Sequence, residues 1–132
     1  MTDAHGLMRD GLGISFGNDV ADDLELRICG DVRGKRVLDV GPGSGFWVQY
    51  YLDRGADVTG VDIAPTAVER LATRFPRARF VHSDISEARL EGRFHVVNAF
   101  DVLYHITDEA KWETAVRHLA EAVEPGGLLL IT

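Results

Sequence analysis

The densest chemical signal in the chain is Asp39-Val40-Gly41-Pro42-Gly43-Ser44-Gly45, which follows the apolar pair Val37-Leu38. Glycines at alternate positions let a ligand approach the backbone, because no Cβ stands in the way. A helix opening after Gly45 would present unpaired N–H groups and its positive dipole end to an anionic group. The spacing is G-x-G-x-G. A dinucleotide fingerprint reads G-x-G-x-x-G, and Phe46 stands where its last glycine would fall. Asp39, two residues before the first glycine, would repel a pyrophosphate and attract an ammonium group. The histidines supply a second kind of chemistry, since an imidazole titrates near neutrality and can exchange a proton. His95 and His118 have no cluster of Cys, His or carboxylate at metal-ligand spacing around them, so no metal site is expected.

The elements that must position these residues read as alternating strands and helices. Arg36 to Val40 is a short apolar strand running into the glycine turn. Phe46 to Asp53 is a helix closed near Gly55, and Asp57 to Val61 is a second strand. Pro65 suits the first turn of the next helix, whose buried stripe is Ala67, Val68, Leu71, Ala72 and Phe75. Pro76 stops that helix. Arg79 to His82 and Phe94 to Ala99 are strands three and four, the latter introduced by a polar loop around Glu91-Gly92. Thr107 or Asp108 caps a longer helix with Trp112, Ala115, Val116, Leu119 and Val123 on one face. Pro125-Gly126-Gly127 ends it, and Leu128 to Ile131 is a fully apolar fifth strand, as expected when both faces are covered. This alternation implies an α/β, doubly wound parallel sheet. Upstream, residues 1–18 read as an N-terminal arm or lid, in which Phe16 could close over a ligand. Residues 19–132 form the domain proper, opening with a helix from Asp19 to Cys29 that Gly30 ends.

Composition bounds the rest. The chain has 132 residues, 45% hydrophobic and 27% charged, as in an ordinary globular domain. No apolar run approaches the roughly 18 residues of a membrane span, so no membrane partner is expected. Met1 to Asp10 shows no secretory layout, and the single cysteine, Cys29, fits a reducing, cytoplasmic setting. The formal net charge is −7, which disfavours generic phosphate-backbone binding.

At this point the chain resembles the class I S-adenosylmethionine-dependent methyltransferases. Asp39 through Gly45 matches their first motif. The likeness continues in order with Val58-Thr59-Gly60-Val61-Asp62, Phe80-Val81-His82-Ser83-Asp84-Ile85, Phe100-Asp101-Val102-Leu103-Tyr104-His105 and Pro125-Gly126-Gly127-Leu128-Leu129. The resemblance implies a Rossmann-like sheet of order 3-2-1-4-5, with S-adenosylmethionine as cofactor and S-adenosylhomocysteine as product. It implies that Asp39 and the Gly41, Pro42, Gly43 and Gly45 backbone hold the methionine end. Asp62 would accept both ribose hydroxyls, with Ile63 on the adenine face. Asp84 would accept from the adenine amino group, next to Ser83, and the Ile85 N–H would reach the ring. The segment Phe100-Asp101-Val102 would line the methionine side, mostly through backbone. His105 is the candidate general base, should the acceptor arrive protonated. Read from the residues alone, Asp39 could be only a helix-cap acceptor, Asp62 could cap the helix that begins near Pro65, and Asp84 could cap a short helix from Ile85 to Leu90. His105 could shape the pocket, and Ile63 could be core.

Two absences narrow the acceptor. DNA adenine amino-methyltransferases carry an Asn/Asp-Pro-Pro-aromatic segment after strand four, and this chain reads Asn98-Ala99-Phe100-Asp101-Val102. Cytosine C5 enzymes use a Pro-Cys pair there, which is missing. With the negative charge, both point away from nucleic acid and toward a small-molecule acceptor. A non-catalytic cofactor-binding module shares every cofactor residue and is the alternative. A nicotinamide-dependent oxidoreductase is disfavoured by Asp39 and the glycine spacing. The family's sixth and seventh strands have no counterpart before Thr132. The sequence is therefore expected to be a fragment, or to have its exposed fifth strand covered by a partner chain, with self-association through that edge.

Overall fold

A computed structural model describes residues 28–132. The arm over 1–18, Phe16 and the first helix up to residue 27 lie outside the described residues. Ile28 and Cys29 are helical, as expected for that helix's end, and Cys29 is buried.

The sheet forms around β1 (Arg36–Val40), which pairs in parallel with β2 (Asp57–Asp62) on one side and β4 (Phe94–Ala99) on the other. β3 (Arg79–His82) joins β2, and β5 (Val123–Ile131) joins β4. The order is β3-β2-β1-β4-β5, the arrangement that the family resemblance implies. β1 is apolar on both sides because both faces are covered. Val37 lies in a core with Val58, Val96, Trp47 and Tyr51, and Leu38 in a second core with Val97, Ala115 and Leu119. The first core is covered by α1 (Phe46–Asp53) and the second by α3 (Glu109–Glu121). Asp108 caps α3, its Oδ1 accepting from Lys111 N–H at 3.0 Å.

Three local expectations need correction. In α2 (Pro65–Arg74) the stripe is narrower than predicted. Leu71 is fully buried and Phe75 closes the end, but Ala72 faces solvent. Trp112 on α3 is 42% exposed and not core. The fifth strand begins at Val123, so Val123 leaves the predicted helix face and Pro125-Gly126-Gly127 lies inside the strand rather than before it. A register shift between Phe94 and Val96 absorbs that segment as a bulge, where proline and glycine are tolerated. Of Leu128 to Ile131 only Leu130 is buried, because β5 is an outer strand of the described sheet.

Leu71 ties α2 to the glycine turn: a Cβ built on Gly45 would lie 3.2 Å from Leu71 Cδ2. Truncating such a fully buried leucine removes its transfer energy and leaves a cavity. Leu71→Ala should lower stability by about 2–5 kcal/mol in urea unfolding. A loss below about 1 kcal/mol would show that α2 is not anchored through this side chain.

Candidate functional site

β1 ends in the glycine turn because the chain must reverse from a buried strand into α1 within a few residues. Gly41 N–H donates to the Val61 carbonyl at 2.7 Å, and Gly45 N–H donates to the Pro42 carbonyl at 2.9 Å. Gly41 has a φ of 66°, and a Cβ there would fall 2.7 Å from Val102 Cγ2. A side chain at this position is therefore excluded by torsion and by space. From α2, Arg70 donates to the Gly43 carbonyl at 2.9 Å and Arg74 to the Ser44 carbonyl at 2.7 Å. These two bonds hold the turn's carbonyls toward α2. Asp39 is buried on the strand below the turn.

A cleft of about 480 Å³ opens at the carboxyl ends of β1, β2 and β4. That is the crevice where ligands bind in open parallel sheets, and the volume suits a small organic ligand. Of the sequence-predicted residues, Gly41, Asp62, Ile63, Ser83, Asp84, Ile85, Asp101 and His105 line it. Ile63 is 64% exposed, so its side chain is not part of the core. Ile85 buries its side chain in the core beside Leu38 and Ala115, so its backbone is the part the cleft can use. Pro42, Gly43, Gly45, Asp39 and Phe100 are not part of the cleft lining. Phe100 is buried with its ring edge-on to Trp47, 5.7 Å between centroids.

Asp62 and Asp84 are not helix caps. α2 has Ala64 as its N-cap with no side-chain cap, and residues 85–88 form a turn and not a helix. Each carboxylate instead closes a local turn two residues on. Asp62 Oδ1 accepts from Ala64 N–H at 2.9 Å. Asp84 Oδ1 accepts from Ser86 Oγ–H at 2.7 Å and from Ser86 N–H at 2.9 Å. The Ser86 hydroxyl is the main cause that holds the Asp84 carboxyl below its ordinary value of 3.8; burial opposes it, and Ser86 N–H and Lys111 add to the lowering. Each carboxylate keeps acceptor capacity beyond these bonds, since an ionised carboxylate has about four lone-pair sites.

The other wall comes from the segment after β4. Asp101 adopts a φ of 57°, costly for a residue with a side chain. Its N–H donates to Thr132 Oγ1 at 2.9 Å, which ties the ends of β4 and β5 together. A short 3₁₀ helix (Leu103–His105) follows and brings His105 to the cleft, its ring 4.1 Å from that of Tyr104. Val102, expected with Phe100 and Asp101, lines the cleft; sequence reading missed Ser86, Thr107, Asp108 and Lys111, which line it too. Only the spacing of the Asp108 cap to Lys111 hinted that α3 starts at this edge. Among the described residues, no group of three or more His, Cys, Asp or Glu could hold a metal ion, and no helix is long and apolar enough to cross a membrane.

A family profile described as a methyltransferase domain matches residues 16–132. The chain belongs to that family. This methyltransferase domain is 32% identical over 116 residues to the ubiquinone biosynthesis O-methyltransferase of Alkalilimnicola ehrlichii, covering 83% of this chain and 46% of the relative. It is 35% identical over 106 residues to the enzyme of the same name from Acinetobacter baumannii, covering 75% and 44%. The domain thus spans less than half the length of these curated relatives. Among solved structures it is similar to a TehB-like SAM-dependent methyltransferase from Corynebacterium glutamicum, with TM-score 0.75, 29% identity and coverage of 87% and 63%. It is also similar to SAM-bound CalS10, an amino pentose methyltransferase from Micromonospora echinaspora, with TM-score 0.71, 28% identity and coverage of 86% and 47%.

The Asp84 geometry makes a pH prediction. A carboxyl with a depressed folded-state pKa stabilises the fold at pH above its unfolded value, and that contribution is lost as pH falls through the lower folded value. Ser86→Ala removes the main cause, so the Asp84 titration followed by carboxyl-carbon NMR should move up toward 3.8. An unmoved midpoint would show that Ser86 does not hold the carboxylate.

Proposed function

We propose that this domain binds S-adenosylmethionine in the cleft and supports methyl transfer to a small-molecule acceptor. The observation that carries the reading is the pairing of the glycine turn with the acidic cleft beside it. Asp62, Asp84, Asp101 and Asp108 line the cleft, and Lys111 is the one lysine or arginine among the described lining residues. Such a lining suits a ligand with cationic ammonium and sulfonium groups and disfavours a pyrophosphate. At Gly41 the missing Cβ makes room for the Val102 side chain, which lines the cleft at the turn.

S-adenosylmethionine, when bound, supplies an activated methyl group and its thioether leaving group. The chain's part is to bind, align and exclude water. In this reading Asp62 accepts from the ribose hydroxyls through Oδ2 and the remaining capacity of Oδ1, and Ile63 packs on the adenine. Asp84 accepts from the adenine amino group, and Ile85 N–H donates to the ring. Asp39, with the backbone of Gly41, Pro42, Gly43 and Gly45, holds the methionine end, and Phe100 and Asp101 border it. His105 takes a proton at a ring nitrogen from an acceptor that arrives protonated. The likeness to an O-methyltransferase and to an amino pentose methyltransferase supports a small molecule as acceptor. A cytoplasmic setting accords with the single buried cysteine. Self-association along the outer edge of β5 is part of the proposal, and a strictly monomeric sedimentation profile would remove it.

Calorimetric titration with S-adenosylhomocysteine, with NAD as control, tests the cofactor. Binding of the first and silence of the second are expected, and NAD binding alone would sink the reading. Asp62→Ala should weaken the adenosyl ligand by about 1.5–3 kcal/mol, the contribution of a charge-assisted hydrogen bond. An unchanged affinity would take Asp62 out of the ribose role. Transfer of a labelled methyl group to an acceptor panel separates an enzyme from a binding module.

A further inference from the structure

Two histidines that the proposed chemistry does not use occupy matching positions behind the cleft. His82, at the end of β3, places Nε2 2.9 Å from the Ile63 carbonyl oxygen. His118, buried on α3, places Nδ1 2.6 Å from the Ile85 carbonyl oxygen. A carbonyl only accepts, so each of these ring nitrogens carries the hydrogen and donates it. Each carbonyl belongs to a peptide whose N–H is also engaged. The peptide after Ile63 donates through Ala64 N–H to Asp62 Oδ1 at 2.9 Å. The peptide after Ile85 donates through Ser86 N–H to Asp84 Oδ1 at 2.9 Å. The same relay therefore occurs twice: imidazole N–H to peptide carbonyl, then peptide N–H to carboxylate. The strand register prepares the first, since His82 is paired with Asp62 across the β2–β3 ladder. Packing of α3 against the sheet prepares the second, with Leu119 beside it in the same core as Ile85.

We propose that His82 and His118 are positioning residues that act through one peptide each, His82 aiming Asp62 and His118 aiming Asp84. Chained hydrogen bonds polarise one another, so each imidazole also strengthens the N–H that its carboxylate accepts. The lowered pKa of Asp84 accords with a carboxylate held in this way. The inference rests on the reading of Asp62 and Asp84 as the ribose and adenine acceptors. It adds that recognition of the two halves of the adenosine is set separately, by two residues outside the cleft lining.

The test compares three ligands on the full chain by calorimetry: S-adenosylhomocysteine, its 2′-deoxyadenosyl analogue and S-inosylhomocysteine. His82→Leu should weaken S-adenosylhomocysteine about threefold to tenfold, the effect of one lost hydrogen bond, and shrink its advantage over the 2′-deoxy analogue. His118→Leu should shrink the advantage over the inosyl analogue by a similar factor. His82→Gln and His118→Asn, which return an N–H near the lost one, should restore each preference. Equal weakening of all three ligands, or no restoration by the amide variants when these are folded, would overturn the inference. So would leucine variants that keep both preferences. If the unaltered chain binds S-adenosylhomocysteine without either preference, the assignment of Asp62 and Asp84 fails first, and this inference fails with it.

Discussion

The structure depends on the parallel register of β2, β1 and β4. Asp39 on β1 lies opposite Gly60 on one side and Asn98 on the other, and Val40 lies opposite Val61. In a parallel sheet with right-handed crossovers, the segment leaving every strand emerges at the same edge. That brings the glycine turn, Asp62-Ile63 and Asp101-Val102 to one level although they are far apart in sequence. The chain winds to β2 and β3 on one side of β1 and then returns to β4 on the other. The cleft opens at that reversal, as it does in doubly wound folds generally. Gly60 serves the same packing: a Cβ there would fall 2.6 Å from the Phe80 ring, which lies over β2 in the space that the glycine leaves.

The electrostatics follow from that convergence. Strand ends deliver carboxylates, and the start of α3 delivers Lys111 near them. Hydrogen bonds from Ala64 and Ser86 fix Asp62 and Asp84 before any ligand arrives. A site organised in advance does not have to spend ligand-binding energy on ordering its own side chains. The turn is held in a similar way, by Arg70 and Arg74 reaching from α2 to the Gly43 and Ser44 carbonyls. Those arginines are exposed on a helix, and nothing in their spacing announces a partner 27 and 30 residues earlier.

Much of this was legible in the sequence, for a physical reason. Central parallel strands are largely apolar because both faces are covered, so Arg36 to Val40, Asp57 to Val61 and Phe94 to Ala99 stand out against amphipathic helices. Gly41, Asp62 and Ile63 sit at the ends of the first two of these strands, and Asp84 and Ile85 follow the third strand, Arg79–His82. What was illegible depends on contacts across the sheet. Pro125-Gly126-Gly127 carries a turn signature, yet β4 accommodates it as a bulge within β5. Trp112 and Ala72 fall at apolar helical spacing, but the covered face of each helix is narrower than its apolar stripe. His82 and His118 donate to backbone carbonyls, and a carbonyl is present at every residue, so their partners leave no trace in residue type.

The central claim is that an adenosyl ligand with a methionine end lies at the carboxyl ends of β1, β2 and β4. Amide-resolved NMR during titration with S-adenosylhomocysteine tests it most directly. The account predicts shifts concentrated at Gly41, Ile63, Ile85 and Val102, with Gly34 and Gly55, hydrogen-bonded to each other at the opposite end of the sheet, unmoved. Shifts centred instead on the hollow formed by residues 30–33 and 53–55 would contradict it.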